Sequence, residues 1–254
     1  MTNRNGKKTV PADSTTVNDN DKEFSTLYGE LKESIEREIG FTISFEGIYK
    51  WIVFANSRRN SELPVANRYF GAFEEDDSLK IRGMETRRQD TPPFLSKCQK
   101  EILEVMAKGN NINEVKVLMP KVKNTFQKYL QLLKEGKFQL DELAFTKQLS
   151  KNSDEYQSRN TVEKNAIMQL RIEGKSLKAG QILKYIITNY YKKQKRSIPI
   201  ELINEKTDYD LRKYTELLVE SCNSVTAPFG YTFSWSALSC NLQTSIRYKC
   251  IRSS

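Results

Sequence analysis

The side chains that most often carry out chemistry are sparse in this sequence. Its 254 residues include no histidine, which removes Ser-His and Cys-His nucleophiles, imidazole-ligated zinc and imidazole acid–base catalysis. Cys98, Cys222, Cys240 and Cys250 are scattered and form no C-x-x-C pair, so neither a zinc site nor a disulfide framework is indicated. Any catalysis must then rest on carboxylates with a hard metal ion, or be completed by another chain. Two clusters have the residue types for binding. Arg82, Glu85, Arg87, Arg88 and Asp90 crowd one short stretch, where bidentate Arg–carboxylate pairs give rigid geometry and a spare arginine can meet a phosphate. Tyr190-Tyr191-Lys192-Lys193-Gln194-Lys195-Arg196 interleaves aromatic and basic side chains, a pattern that stacks bases in single strands or forms a solvated surface. The 41 Lys+Arg against 32 Asp+Glu leave a charge of +9 and a pI near 9.2, which favours a polyanionic partner through counterion release.

The elements that must position these groups follow from periodicity. Residues 1–22 are poor in large apolar side chains and read as a disordered tail. Phe24, Leu27, Leu31, Ile35 and Ile39 recur at helical steps, with Gly40 where a C-cap belongs. The aromatic and β-branched stretch Phe41–Phe54 predicts two strands around Glu46-Gly47. Arg68–Phe73 and Leu79–Arg82 predict a hairpin across the acidic turn Glu74-Glu75-Asp76-Asp77. Thr91-Pro92-Pro93 breaks the chain and starts a helix, so residues 23–92 and 93–235 read as two units, followed by a tail, 236–254. In the second unit, Ile112–Lys134 is helical with a break at Pro120. Leu140–Leu149, Val162–Ile172 and Tyr209–Val225 are further helices, and Gln181–Tyr190 is a strand. The fold class is α+β: antiparallel strands with a helix, then a mainly helical part with a small β element. No apolar run is long enough to span a membrane and no secretory signal opens the chain, so the expected compartment is the cytoplasm, at the nucleoid.

Several strings add a family resemblance. Phe45-Glu46-Gly47-Ile48-Tyr49-Lys50, then Asn67-Arg68-Tyr69-Phe70-Gly71, then Arg82-Gly83-Met84-Glu85 leading to Arg88 and Asp90 resemble, in order and spacing, the palm of family B DNA polymerases. The family patterns there are E-G-x-Y-K, a K-K-R-Y-like motif and R-G-x-E-x-x-R-x-D. Thr146-Lys147-x-Leu149, Glu155-Tyr156, Ala179-Gly180-Gln181 with Tyr185-Ile186-Ile187, Tyr209-Asp210 with Tyr214, and Pro228-Phe229-Gly230-Tyr231 resemble that family's thumb. The family's Y-x-D-T-D motif, its exonuclease carboxylates and its fingers have no counterpart here.

The resemblance implies a palm-completing and thumb fragment, as in the small subunit of a split archaeal family B polymerase. The catalytic aspartates, the dNTP site and the Mg²⁺ ions would then reside mainly in a separate large subunit, and the chain would be active only as a heterodimer. Residue by residue, it places Glu46 near the metals; pairing with a neighbouring Lys or Arg is the other reading of that side chain. It places Arg68 and Tyr69 in the minor groove of primer-template DNA, where an acceptor pattern common to all base pairs is read, and Asn67 and Lys50, from the same strings, on that DNA. Thr146, Lys147, Tyr156 and Arg159 fall where duplex backbone would pass. Glu85, Arg88 and Asp90 would brace the palm–thumb junction. Ala66 and Asn67 stand where the family pattern has two lysines. That departure favours a second reading, a duplex-binding or polymerase-regulating remnant. Gln243, Ile246 and Tyr248 partly fit a sliding-clamp peptide.

Overall fold

The computed structural model describes residues 14–57, 63–156, 161–192, 195–204 and 206–234. Helix α1 (Ser14–Ile39) ends at Gly40, whose φ of 76° suits a C-terminal cap and whose N–H donates to Glu36 O at 3.1 Å. Residues 14–22, expected in the tail, belong to this helix. Its apolar stripe does not lie flat on the strands. Leu27, Leu31 and Ile39 are exposed, while Phe24 and Tyr28 meet Phe45, each at a ring separation of 5.5 Å.

Between Phe41 and Phe54 one strand forms rather than two. Residues 40–48 are irregular and β1 (Tyr49–Asn56) follows. Gly47 is the cause: its φ of 142° takes the backbone off a ladder, and a Cβ there would sit 2.8 Å from the Phe73 ring. Strands β2 (Pro64–Phe73) and β3 (Leu79–Arg82) form the expected hairpin, and the antiparallel order is β1-β2-β3. The register sets Phe54 opposite Tyr69 and Tyr69 opposite Arg82, so these three share one face. Trp51, Phe70 and Ala72 point the other way and are buried. Phe229, from far along the chain, meets Trp51 edge-on at 6.3 Å and lies 6.4 Å from Phe70. Trp51 Nε1 donates to Gly109 O at 2.9 Å, which satisfies the one polar atom this burial would strand.

The remaining chain packs helices against a second sheet. Helix α2 (Pro93–Met106) begins with proline in its first turn, where no N–H is missed. Asn111 caps α3 (Ile112–Val117), accepting from the N–H groups of Asn113 and Glu114 at 3.0 Å. The break expected at Pro120 is the step into α4 (Met119–Glu135), with the proline in the first turn. The helix expected over Leu140–Leu149 is absent. A short 3₁₀ turn, Leu140–Leu143, leads into β4 (Phe145–Gln148), because Phe145 finds a stacked partner in Tyr185 at 5.6 Å and 15° across the ladder. After α5 (Val162–Ile172), β5 (Ile182–Ile187) pairs with β4 and with β6 (Ser197–Pro199), giving the antiparallel order β4-β5-β6. Helix α6 (Leu211–Thr226) runs back through the centre.

One continuous apolar core joins both parts, from Trp51 through the buried faces of α2, α4 and α6 to Phe229. Tyr214 of α6 is fully buried within it. Its hydroxyl donates to Leu143 O at 2.7 Å and accepts from the Ile187 N–H at 2.9 Å, tying α6 to the second sheet. The molecule is an α+β fold with two three-stranded antiparallel sheets and six α-helices among the described residues. Among these residues no helix is long and apolar enough to cross a membrane.

Candidate nucleic-acid interface

A cleft of about 1020 Å³ opens between the first sheet and the helical part. Arg68, Glu85, Arg88, Asp90, Thr146, Lys147 and Tyr190, all singled out by sequence, line it. They come from both units, so the tertiary fold gathers what the chain separates.

On one wall, Arg68 is held in three directions. Its Nη1 donates to Asn56 O at 2.6 Å, its Nε to Gly83 O at 3.3 Å and its Nη2 to Glu85 Oε1 at 3.3 Å. The approach of residue 83 requires glycine. Its φ is 67°, and a Cβ would fall 2.5 Å from Asn67 O. The Glu85 Oε2 atom lies 2.9 Å from both Gln99 Nε2 and Ser224 Oγ, so the carboxylate is shared between the sheet, α2 and α6. At the rim, Arg88 grips Asp90 with two donors, Nε to Oδ1 at 2.7 Å and Nη2 to Oδ2. That hydrogen-bonding holds the Asp90 carboxyl below the usual carboxylate range; burial opposes the shift, and the Lys147 charge across the cleft adds to it.

The other wall is aromatic and basic. Burial, then the neighbouring Glu163 carboxylate, pushes the Tyr185 phenol well up, so it stays a neutral donor. Asp210 caps α6 through Oδ1, accepting from the Lys213 N–H at 2.9 Å, and holds the Tyr190 N–H through Oδ2 at 2.7 Å. Lys213 Nζ stands 4.4 Å from the centre of the Tyr190 ring and the Arg196 guanidinium 4.9 Å from it; Arg212 covers Tyr191 at 4.5 Å. In the described part of the basic run, then, both tyrosine rings are already stacked by cations. Lys193 and Gln194 lie outside the described residues.

Other sequence candidates lie away from the cleft. Glu46 is exposed and pairs with Lys80. Lys50 pairs with Asp77 of the hairpin turn and is almost completely buried. Tyr69 rests on Phe54 at 5.7 Å, and the Tyr49 phenol nearby is pushed up to about 12 by burial, by Tyr69 and by Glu46. Asn67 is exposed, and the Tyr156 hydroxyl accepts from the Ser150 N–H at 3.3 Å. Arg159, the loop arginines Arg58 and Arg59, and the clamp-like residues Gln243, Ile246 and Tyr248 fall outside the described residues. Among the described residues no three of Asp, Glu and Cys converge as metal ligands. Glu46, the one carboxylate placed near metals by resemblance, already faces an ammonium.

Sequence reasoning missed Gln99, Ser224 and Lys213. Gln99 carried a signal: it interrupts the apolar stripe Leu95, Ile102, Leu103 and Met106, and it is fully buried. Ser224 and Lys213 look like ordinary helix-surface residues.

A family model described as DNA polymerase family B matches residues 14–226. DNA polymerase 1 of Saccharolobus solfataricus is 26% identical over 214 residues, 84% of this chain and 23% of that protein. The DNA polymerase of Archaeoglobus fulgidus is 27% identical over 210 residues, 80% of this chain and 25% of its own. Among solved structures, the family B DNA polymerase from the hyperthermophilic archaeon Pyrobaculum calidifontis superimposes with a TM-score of 0.55 at 21% identity, over 78% of this chain and 24% of that one. That likeness speaks for the fold. The chain spans about a quarter of the length of the curated relatives it matches. With the match running through both sheets and every helix, the chain belongs to DNA polymerase family B.

Proposed function

We propose that this chain completes the palm and provides the thumb of a template-directed DNA polymerase, holding the primer-template duplex in the cleft described above. The catalytic aspartates, the dNTP site and the Mg²⁺ ions they bind would be carried by a separate large subunit, with this chain as the small subunit of a split enzyme. Phosphoryl transfer needs two metal ions between carboxylates, and a chain without a D-T-D motif can contribute only positioning. The observation that supports the reading most is the gathering of Arg68, Arg88, Thr146 and Lys147, from both halves of the chain, on one cleft.

In this reading Lys147 and Lys213 meet phosphates, while the strand bearing Arg68 and Tyr69 faces the primer end. Exposed Leu27, Leu31, Ile39 and Phe41 would be covered by the large subunit, and the residues after Tyr231 are the place for a sliding-clamp contact. Primer extension by the large subunit, with and without this chain, tests the proposal. Stimulation is expected, and equal extension in both reactions would overturn it. A duplex-binding or regulatory remnant is favoured by one observation: Arg68 and Lys50 are both engaged within the fold. On that reading the chain binds duplex without stimulating extension.

A further inference from the structure

We propose that Gln99 and Ser224 are positioning residues for Arg68, acting through Glu85, so that the seating of α2 and α6 sets where the arginine presents its guanidinium. This rests on the reading above in which the strand of Arg68 faces the primer end.

Two of the three anchors of Arg68 are carbonyls beside its own strand, Asn56 O and Gly83 O. The third is the Glu85 carboxylate, which links the arginine to the helices. Glu85 is half-buried, and a carboxylate there is aimed by its donors. Gln99 Nε2 and Ser224 Oγ, both at 2.9 Å, hold Oε2, which leaves Oε1 turned to Arg68. The aiming group is itself fixed. The Gln99 amide accepts from the Thr86 N–H at 3.0 Å through its oxygen, and its nitrogen also reaches Ser221 O at 2.8 Å. A flip of that buried amide would set donor against donor at Thr86 and acceptor against acceptor at Ser221 and Glu85, so one orientation is enforced. The Ser224 hydroxyl has one proton to share between Glu85 Oε2 at 2.9 Å and Ser221 O at 2.7 Å, and its oxygen lies 2.9 Å from Gln99 Nε2. The relay therefore runs from the cores of α2 and α6 to a guanidinium on the cleft wall, with the Gln99 amide as its fixed link. A shift of either helix displaces Oε2 first and Arg68 with it.

The test is a double-mutant cycle read as discrimination: the ratio of kcat/KM for extending a matched over a mismatched 3′ primer terminus, by the chain assembled with its large subunit. Ser224→Ala and Gln99→Met are each made with Arg68 present and with Arg68→Ala. Each is expected to lower discrimination by about 2- to 10-fold with Arg68 present, and to have no further effect once Arg68 is gone. Ser224→Ala removes a single oxygen from a half-buried position, so it reads the relay should Gln99→Met fail to fold. The Arg68 Nε–H resonance of the chain by itself, in a ¹⁵N spectrum, is expected to move in Ser224→Ala. Equal effects in both backgrounds would mark the two residues as structural only and overturn the proposal, as would unchanged discrimination or an unmoved resonance. If Arg68→Ala alone leaves discrimination unchanged, the primer-facing reading falls first and takes the relay with it.

Discussion

Replacing Tyr214 by phenylalanine deletes one oxygen from the centre of the molecule. The ring is fully buried, and its neighbours Phe145 and Tyr209 lie 6.2 Å away, so packing is preserved. What is lost is the pair of hydrogen bonds that join α6 to the Leu143 carbonyl and the Ile187 N–H. Each orphaned backbone group costs about 1–3 kcal/mol, and the hydroxyl's own desolvation is relieved, so the net loss is about 2–4 kcal/mol. For a chain of this size that lowers the melting temperature by about 5–15 °C. Urea unfolding of the wild type and Tyr214→Phe, fitted with a common slope, measures the difference directly. Tyr209→Phe is the internal comparison. Its hydroxyl donates to Leu133 O from a half-buried site rather than from the dry centre, so the loss there should be the smaller. A Tyr214→Phe loss below about 0.5 kcal/mol would refute the reasoning, since two stranded groups in a dry core cannot be that cheap.

Three further outcomes are expected. Gly83→Ala should destabilise far more than Gly174→Ala: both have positive φ, but only at residue 83 does the new Cβ run into backbone, 2.5 Å from Asn67 O; Gly174→Ala should cost about 1–2 kcal/mol, and equal unfolding midpoints would count against this. Asp90 has its pKa lowered by Arg88, so its contribution is present above the unfolded value of about 3.9 and is lost as pH falls through the folded value; the stability gap between wild type and Asp90→Asn should therefore close on acidification, and a gap that widens would exclude the pairing. Lys147→Ala should weaken binding to primer-template DNA evenly across sequences and lower the slope of log K against log salt by about 1, as read by fluorescence anisotropy; an unchanged slope would place Lys147 off the phosphates.

The elements that sequence disclosed were those whose signals are local. Gly40 ends a helix with positive φ, Pro93 begins one, Pro120 marks a break between two, and the acidic turn after Phe73 joins a hairpin. Tertiary context decided the rest. Residues 145–148 pair as a strand because Tyr185 offers a stacking face that no periodicity announces. Residues 40–48 stay irregular because Gly47 must clear the Phe73 ring. The cleft was half legible: its charged residues stood in recognisable strings, whereas their partners are set by three-dimensional neighbours. Lys50 stood in a string as a DNA-facing group and is tied to Asp77, whereas Glu46 makes with Lys80 the ion pair that was one of its two readings.

The contact of Phe229 with Trp51 and Phe70 has a consequence for biogenesis. A nascent chain can make its first hairpin early, but the inner side of that hairpin has no lid until residues near 229 leave the ribosome. Until then the indole and the phenyl ring stand in water, and closing so long a loop is slow. Emergence of the segment around Phe229, rather than synthesis of the first strands, is therefore the moment at which the amino-terminal half is sealed.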